Sequence, residues 1–174
     1  RLIPGDDSPP VNNAAFLVDD GVVMAVGQAG ELGLPPGAER VDLSGQVVMP
    51  TLVSLHGHVG FLKGLSFDAE NYTRENIIDH LNRYAYYGVG TIVSLGVDNG
   101  DLAFDIRAEQ DAGQLGGARL RTVGRGIADP SGGPGAQTMR PAAYGATTEE
   151  EARQAVRELT EREVDAVKIW VDER

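Results

Sequence analysis

The order of apolar runs after Pro50 constrains this chain more than any other feature. Leu52-Val53-Ser54-Leu55 is a short apolar run that ends at His56-Gly57-His58. Residues 73–87 then carry Ile77, Ile78, Leu81, Tyr84 and Ala85 at the spacing of one helix face, and Gly88 stops the pattern. Residues 90–95 read as a β-branched strand, 101–112 as a helix and 118–123 as a third strand. A long glycine-rich segment, 124–145, follows; in a compact domain such a loop signals function or mobility. Thr147-Thr148-Glu149-Glu150 opens a further helix, 149–163, with cap residues and early acids, and Ala152, Ala155, Val156 and Leu159 form its apolar stripe. Residues 164–171 close the series as a nearly continuous apolar strand broken only by Asp165 and Lys168. Strands alternating with helices are joined in parallel through right-handed crossovers. Four strands and three helices make an α/β unit equal to half of a (β/α)₈ barrel, which takes roughly 250 residues. An open half-barrel leaves 164–171 as an apolar edge, so the chain is expected to be a fragment or to need a partner.

Ahead of Pro50 the pattern is different. Ala14-Ala15-Phe16-Leu17-Val18 and Val22-Val23-Met24-Ala25-Val26 flank Asp19-Asp20-Gly21, which predicts a hairpin because Gly tolerates the positive φ of the turn. A loop with Pro35-Pro36 leads to Val41-Asp42-Leu43, a Ser44-Gly45-Gln46 turn and Val47-Val48-Met49-Pro50. The expected organisation is therefore a partial β-sandwich over 1–50, followed by the first half of a barrel over 51–174.

Composition removes several classes. The 174 residues carry 15 Lys and Arg against 26 Asp and Glu, a net charge of −11 that repels phosphate backbones and anionic lipid. Neither nucleic acid nor membrane is an expected partner. No apolar run approaches the roughly 20 residues that span a bilayer. The absence of Cys excludes disulfides, thiolate nucleophiles and Cys-ligated metal, but leaves the compartment open between cytoplasm and periplasm.

Three features can carry chemistry. His56 and His58 sit at the end of an apolar strand, where alternation puts both imidazoles on one face and Gly57 leaves room for close approach. Two neutral imidazoles so placed can share a metal such as Zn²⁺; the alternative is a pair of turn histidines. In parallel α/β barrels, the carboxyl ends of the strands are where active sites lie. Lys168 interrupts an apolar strand, so it either reaches a carboxylate, snorkels, or reacts as a neutral amine with carbon dioxide to give an anionic carbamate able to bridge two cations. The segment 124–135 starts Gly-x-Gly but lacks the third glycine and an immediate helix, and reads better as a flexible loop over a barrel mouth than as a phosphate cradle. His80, among Asp79, Asn82 and Arg83, reads as a surface residue, and Asn71-Tyr72-Thr73 matches a glycosylation sequon.

Together these residues resemble the amidohydrolase superfamily, in its imidazolonepropionase-like branch of metal-dependent amidohydrolases and dipeptidases. The resemblance runs from the Asp20-Gly21 hairpin through Val41–Pro50 and Leu52–His58 to Gly88-Val89-Gly90-Thr91 and Val167-Lys168-Ile169-Trp170. Thr51 and Ser54 depart from the Gly and Asp usual near the His-x-His. The resemblance implies that His56 and His58 bind a divalent metal, Zn²⁺ first among candidates. It implies that Lys168, carboxylated, bridges to a second metal, and that metal-bound hydroxide attacks an amide, cyclic amide or dipeptide. It also implies further histidines on strands five and six and a catalytic aspartate on strand eight. None of these lies in the 174 residues, so no catalytic residue is assigned here and the chain alone is expected to be inactive. The expected partners are a small-molecule substrate and the remainder of the barrel or a second chain, as a homo-oligomer. Two rival readings are a non-catalytic half-barrel that works as an assembly module, and phosphoester or lactone hydrolysis on the same site.

Overall fold

The computed structural model describes residues 1–171. Its first hairpin joins β1 (Ala14–Asp19) to β2 (Val22–Gln28), antiparallel, with Asp19 opposite Val22. The two linking residues, Asp20 and Gly21, have φ of 45° and 74°, the paired positive values of a type I′ turn that matches the twist of the strands. The rest of this unit, Arg1–Pro50, adds only isolated bridges from Leu2 to Val11 and Val48. Among the described residues the runs at 41–43 and 47–50 form no strand ladder beyond the Leu2–Val48 bridge. Val41, Val47 and Met49 are 70%, 58% and 53% exposed, because no second sheet lies within the unit to bury them.

The second unit, Thr51–Arg174, follows a different order. It runs β3 (Leu52–Gly57), a short hairpin of β4 (Leu62–Lys63) and β5 (Ser66–Phe67), α1 (Arg74–Tyr86), β6 (Val89–Ser94), α2 (Leu102–Asp111), β7 (Arg119–Thr122), β8 (Ile127–Ala128), β9 (Tyr144–Gly145) and α3 (Glu149–Glu161). The three main strands form a parallel sheet in the order β3-β6-β7, and β8 pairs with β9. The α/β alternation read from the sequence is therefore present. Helix α1 begins at Thr73, whose side chain accepts from the Asn76 N–H, and ends before Gly88, which takes a φ of 83°. Ile77 and Leu81 of α1, Ile106 of α2, Ile92 of β6 and Leu120 of β7 are fully buried together under the sheet.

Two expectations need correction. Segment 124–145 is not a flexible loop: it contains β8, β9 and a 3₁₀ turn at Gln137–Ala142, and Ile127, Ala128, Met139 and Ala142 are buried. The Arg125 guanidinium pins it by donating to the Ala142 and Ala143 carbonyls while lying 4.0 Å over the Tyr144 ring. Segment 164–171 is not a continuous strand. Asp165 N–H donates to the Thr122 carbonyl, after which Ile127 N–H donates to Lys168 and Trp170 N–H to Ile127. The ladder breaks because the chain turns at Gly124 (φ 61°), so the segment meets first the end of β7 and then β8. Val167 and Ile169 stay 45% and 59% exposed, and on the opposite edge Leu52, Val53 and Leu55 are 56%, 55% and 72% exposed.

The start of α3 is a capping box. The Glu151 carboxylate accepts from Thr147 and Thr148 N–H and from Thr147 Oγ1, while Thr148 Oγ1 accepts from Glu151 N–H. These bonds, led by the Thr147 N–H, hold the Glu151 carboxyl down at about 2. A depressed carboxylate stabilises the fold above its unfolded pKa, and that contribution fades as pH falls from about 4.5 towards 2. Thermal unfolding followed by circular dichroism should show wild type more stable than Glu151→Ala at pH 6, with the gap closing by pH 2.

Candidate metal centre

β3 delivers the two histidines. Its ladder to β6 ends with Gly57 opposite Ser94, and the Leu95 N–H donates to the Gly57 carbonyl, so His56 and His58 flank the last paired residue at the carboxyl end of the sheet. Their rings sit 5.3 Å apart, edge to face. Gly57 is required between them: a Cβ there would lie 2.6 Å from Ile92 Cδ1. Thr51 has a local reason for its place. Thr51 packs into the space above Gly90, where a Cβ would meet Thr51 Oγ1 at 2.2 Å, so the two positions share one side chain's volume.

His56 is exposed and His58 half-buried. The His58 Nδ1 is buried without a hydrogen-bond partner among the described residues. Burial pushes the His58 imidazole below its ordinary pKa, and the nearby charges of His56 and Lys168 push in the same direction. A neutral imidazole with a free, sheltered nitrogen is the state a metal needs.

Lys168 is half-buried rather than fully buried, and it lies close enough to His58 to act on it electrostatically. Its stem runs across two glycines: a Cβ on Gly96 would approach Lys168 Cγ to 2.6 Å, and one on Gly126 would approach it to 3.0 Å. Trp170 shares this face, with its ring 5.1 Å from Lys168 Nζ. The sequence-predicted trio is thus brought to one end of the sheet. Among the described residues no three His, Cys, Asp or Glu side chains come together as a metal-ligand group, so His56 and His58 have no third side chain of these types beside them. The donor set fits a divalent cation as far as it goes, with two imidazoles, one carrying an orphaned nitrogen, and a lysine whose carbamate would supply oxygens.

A cleft of about 960 Å³ opens beside His58, lined among others by Phe67, His80, Tyr84, Met139 and Trp170. His80 is not the surface residue expected. Its Nδ1 accepts from the Gly60 N–H at 3.1 Å, and its Nε2 lies 2.7 Å from the Leu62 carbonyl. Asn71 of the sequon is likewise engaged, donating to the Phe61 and Ser66 carbonyls. Asp98, fully buried at the end of β6, accepts from Ser94 Oγ, Thr122 Oγ1 and Tyr72 Oη at 2.7, 2.7 and 3.1 Å. The sequence reading takes His80 for a surface residue and does not single out Asp98. The one available signal was Asn76 and His80 at i, i+4 on α1, masked by the charged residues around them.

Solved structures share the fold of this chain. A Bifidobacterium longum protein assigned as a prolidase matches with a TM-score of 0.71 and 28% identity, over 89% of this chain and 34% of its own. A Xaa-Pro dipeptidase solved with methionine in its active site matches at 0.75 and 20% identity, over 97% of this chain and 44% of its own. Molinate hydrolase matches at 0.75 and 23% identity, over 97% and 43%. The last two are similar in fold. The structural neighbours of this chain are amidohydrolase-superfamily members, as the sequence resemblance implies. This chain spans 34% to 44% of these three proteins' lengths. By sequence, no protein-family profile and no curated protein matches it.

Proposed function

We propose that this chain carries part of the metal centre of a hydrolase acting on amide or cyclic-amide C–N bonds, dipeptides among its substrates. The β3-β6-β7 sheet would be the opening part of a (β/α)₈ barrel. The observation that carries the reading is the His56–His58 pair at the carboxyl end of β3, with its sheltered, unpartnered Nδ1 and Lys168 alongside. His56 and His58 would hold a divalent cation, Zn²⁺ the first candidate, and Lys168 would contribute as a carbamate. When bound, such a cation acidifies water and polarises a scissile carbonyl. His58 serves by staying neutral, which its burial favours. Trp170 and Met139 in the wall of the adjoining cleft suit an apolar substrate side chain.

The test is metal content by atomic emission after Zn²⁺ loading and buffer exchange, followed by a panel of X-Pro and other dipeptides. Bound Zn²⁺ and dipeptide turnover by the intact enzyme are the expected result. Lys168→Ala should lower the metal content. Unchanged content in that variant would make Lys168 a structural residue, and an intact wild-type enzyme that retains no metal would overturn the reading. The exposed edges at β3 and 167–171 would then favour an assembly module.

A further inference from the structure

We propose that Asn76 and His80 of α1 are positioning residues that fix the turn after His58 and thereby aim its imidazole. The inference rests on the reading of His58 as a metal ligand and extends it to a residue pair outside that set. The sheet holds the near side of His58 only as far as the Gly57 carbonyl, where β3 and its ladder stop. The ring gains nothing through Nδ1, which has no partner among the described residues. The far side is fixed by the backbone of residues 59–62.

That backbone is held from α1. Asn76, only 6% exposed, donates from Nδ2 to the Gly60 and Leu62 carbonyls at 2.8 and 3.1 Å, and also reaches the Asn71 carbonyl. His80, one helical turn on, accepts the Gly60 N–H and reaches the Leu62 carbonyl. Both polar groups of Gly60 and the Leu62 carbonyl are therefore satisfied by two side chains of one helix face. This pattern requires His80 to be the neutral tautomer with its proton on Nε2, since Nδ1 is the acceptor. The turn is also pressed onto the helix. Gly60 has a φ of 87°, and a Cβ on it would approach Ile77 Cγ1 and Tyr72 Cδ2 to 2.8 Å each, while Val59 is fully buried against Ile77 and Leu81. Since α1 is anchored in the core, it acts as a rigid support for a ligand that its own strand leaves behind. Groups that orient metal-bound histidines typically change metal affinity 10- to 100-fold when removed.

The experiment compares wild type, His80→Leu and His80→Gln. Glutamine, like neutral histidine, carries one acceptor and one donor in an uncharged side chain. Three quantities are read: the His58 ring resonances of the metal-free chain by NMR, Zn²⁺ affinity by competition with a chromophoric chelator, and the thermal midpoint. His80→Leu should split or broaden the His58 resonances and weaken Zn²⁺ roughly 10-fold or more, with His80→Gln restoring most of both. If His80→Leu lowers the midpoint but leaves His58 resonances and Zn²⁺ affinity unchanged, the role is purely structural and the proposal is overturned. Should His80→Leu not fold, His80→Asn, too short to bridge Gly60 and Leu62, takes its place under the same criteria. If wild type binds no Zn²⁺, the metal reading fails separately, and the His58 resonances still decide whether the clamp exists.

Discussion

His58→Ala is expected to lower Zn²⁺ affinity about 100-fold or more while leaving the unfolding midpoint close to wild type. The ring is half-buried at the mouth of the cleft, and its Nδ1 bonds to nothing that folding depends on. Truncating it therefore removes the proposed ligand without breaking a hydrogen bond of its Nδ1, whereas the neighbouring Val59, fully buried, keeps the turn in the core. The same site should lose metal as the pH falls, because protons compete for the imidazoles. Burial lowers the His58 pKa, so that loss should set in below the range of an ordinary histidine. Chelator competition between pH 8 and pH 5 reads both effects. An affinity within a factor of three of wild type in His58→Ala would remove His58 from the ligand set.

Asp98→Ala should cost about 1–3 kcal/mol for each buried hydroxyl that it leaves without an acceptor. Asp98 is 1% exposed and collects three hydroxyl donors from three separate segments: Tyr72 ahead of α1, Ser94 on β6 and Thr122 on β7. Its own N–H donates to the Gly124 carbonyl, and Thr122 Oγ1 in turn accepts from the Gly124 N–H. Removing the carboxylate leaves those hydroxyls without an acceptor in a dry space. Asp98→Asn keeps the shape but offers an amide N–H₂ where a hydroxyl donates, and should cost about 1–3 kcal/mol. Urea unfolding at pH 7 measures both. A loss under 1 kcal/mol in Asp98→Ala would mean that water or rearranged hydroxyls take over. The pH signature is opposite to that of Glu151. Burial raises the Asp98 pKa despite its three donors, so the folded state takes up this proton more readily than the unfolded chain. The Asp98 contribution accordingly grows as the solution is acidified, while that of Glu151 fades.

What could be read in advance was whatever depends on local chemistry. Asp20-Gly21 specifies its turn because few residues accept two positive φ values in succession, and Thr73 and Gly88 bracket α1 because one caps and the other releases the helix. His56, Gly57 and His58 were visible because the alternation of a strand is itself a statement about faces. Segment 124–145 was opaque because its order comes from distant partners: Arg125 reaches the Ala142 and Ala143 carbonyls, and Met139 packs with Phe61 and Val97. The run 164–171 looked like one strand since its apolar residues are continuous. Its pairing changes partner at Gly124, a break set by the neighbouring segment rather than its own sequence. His80 was misread because charged neighbours on a helix say nothing about the one face that meets a turn.

The β3 rim of the parallel sheet bears on how the molecule behaves among its own copies. It carries Leu52, Val53 and Leu55 bare beside an edge strand, a template onto which a passing strand can pair. A charge of −11 opposes that approach, holding like molecules apart over about one Debye length, roughly 10 Å at 0.1 M salt. Colloidal stability thus hangs on the balance between a short-range adhesive seam and a longer-range repulsion. Added salt or mild acid weakens that repulsion, so either one moves the protein towards self-association.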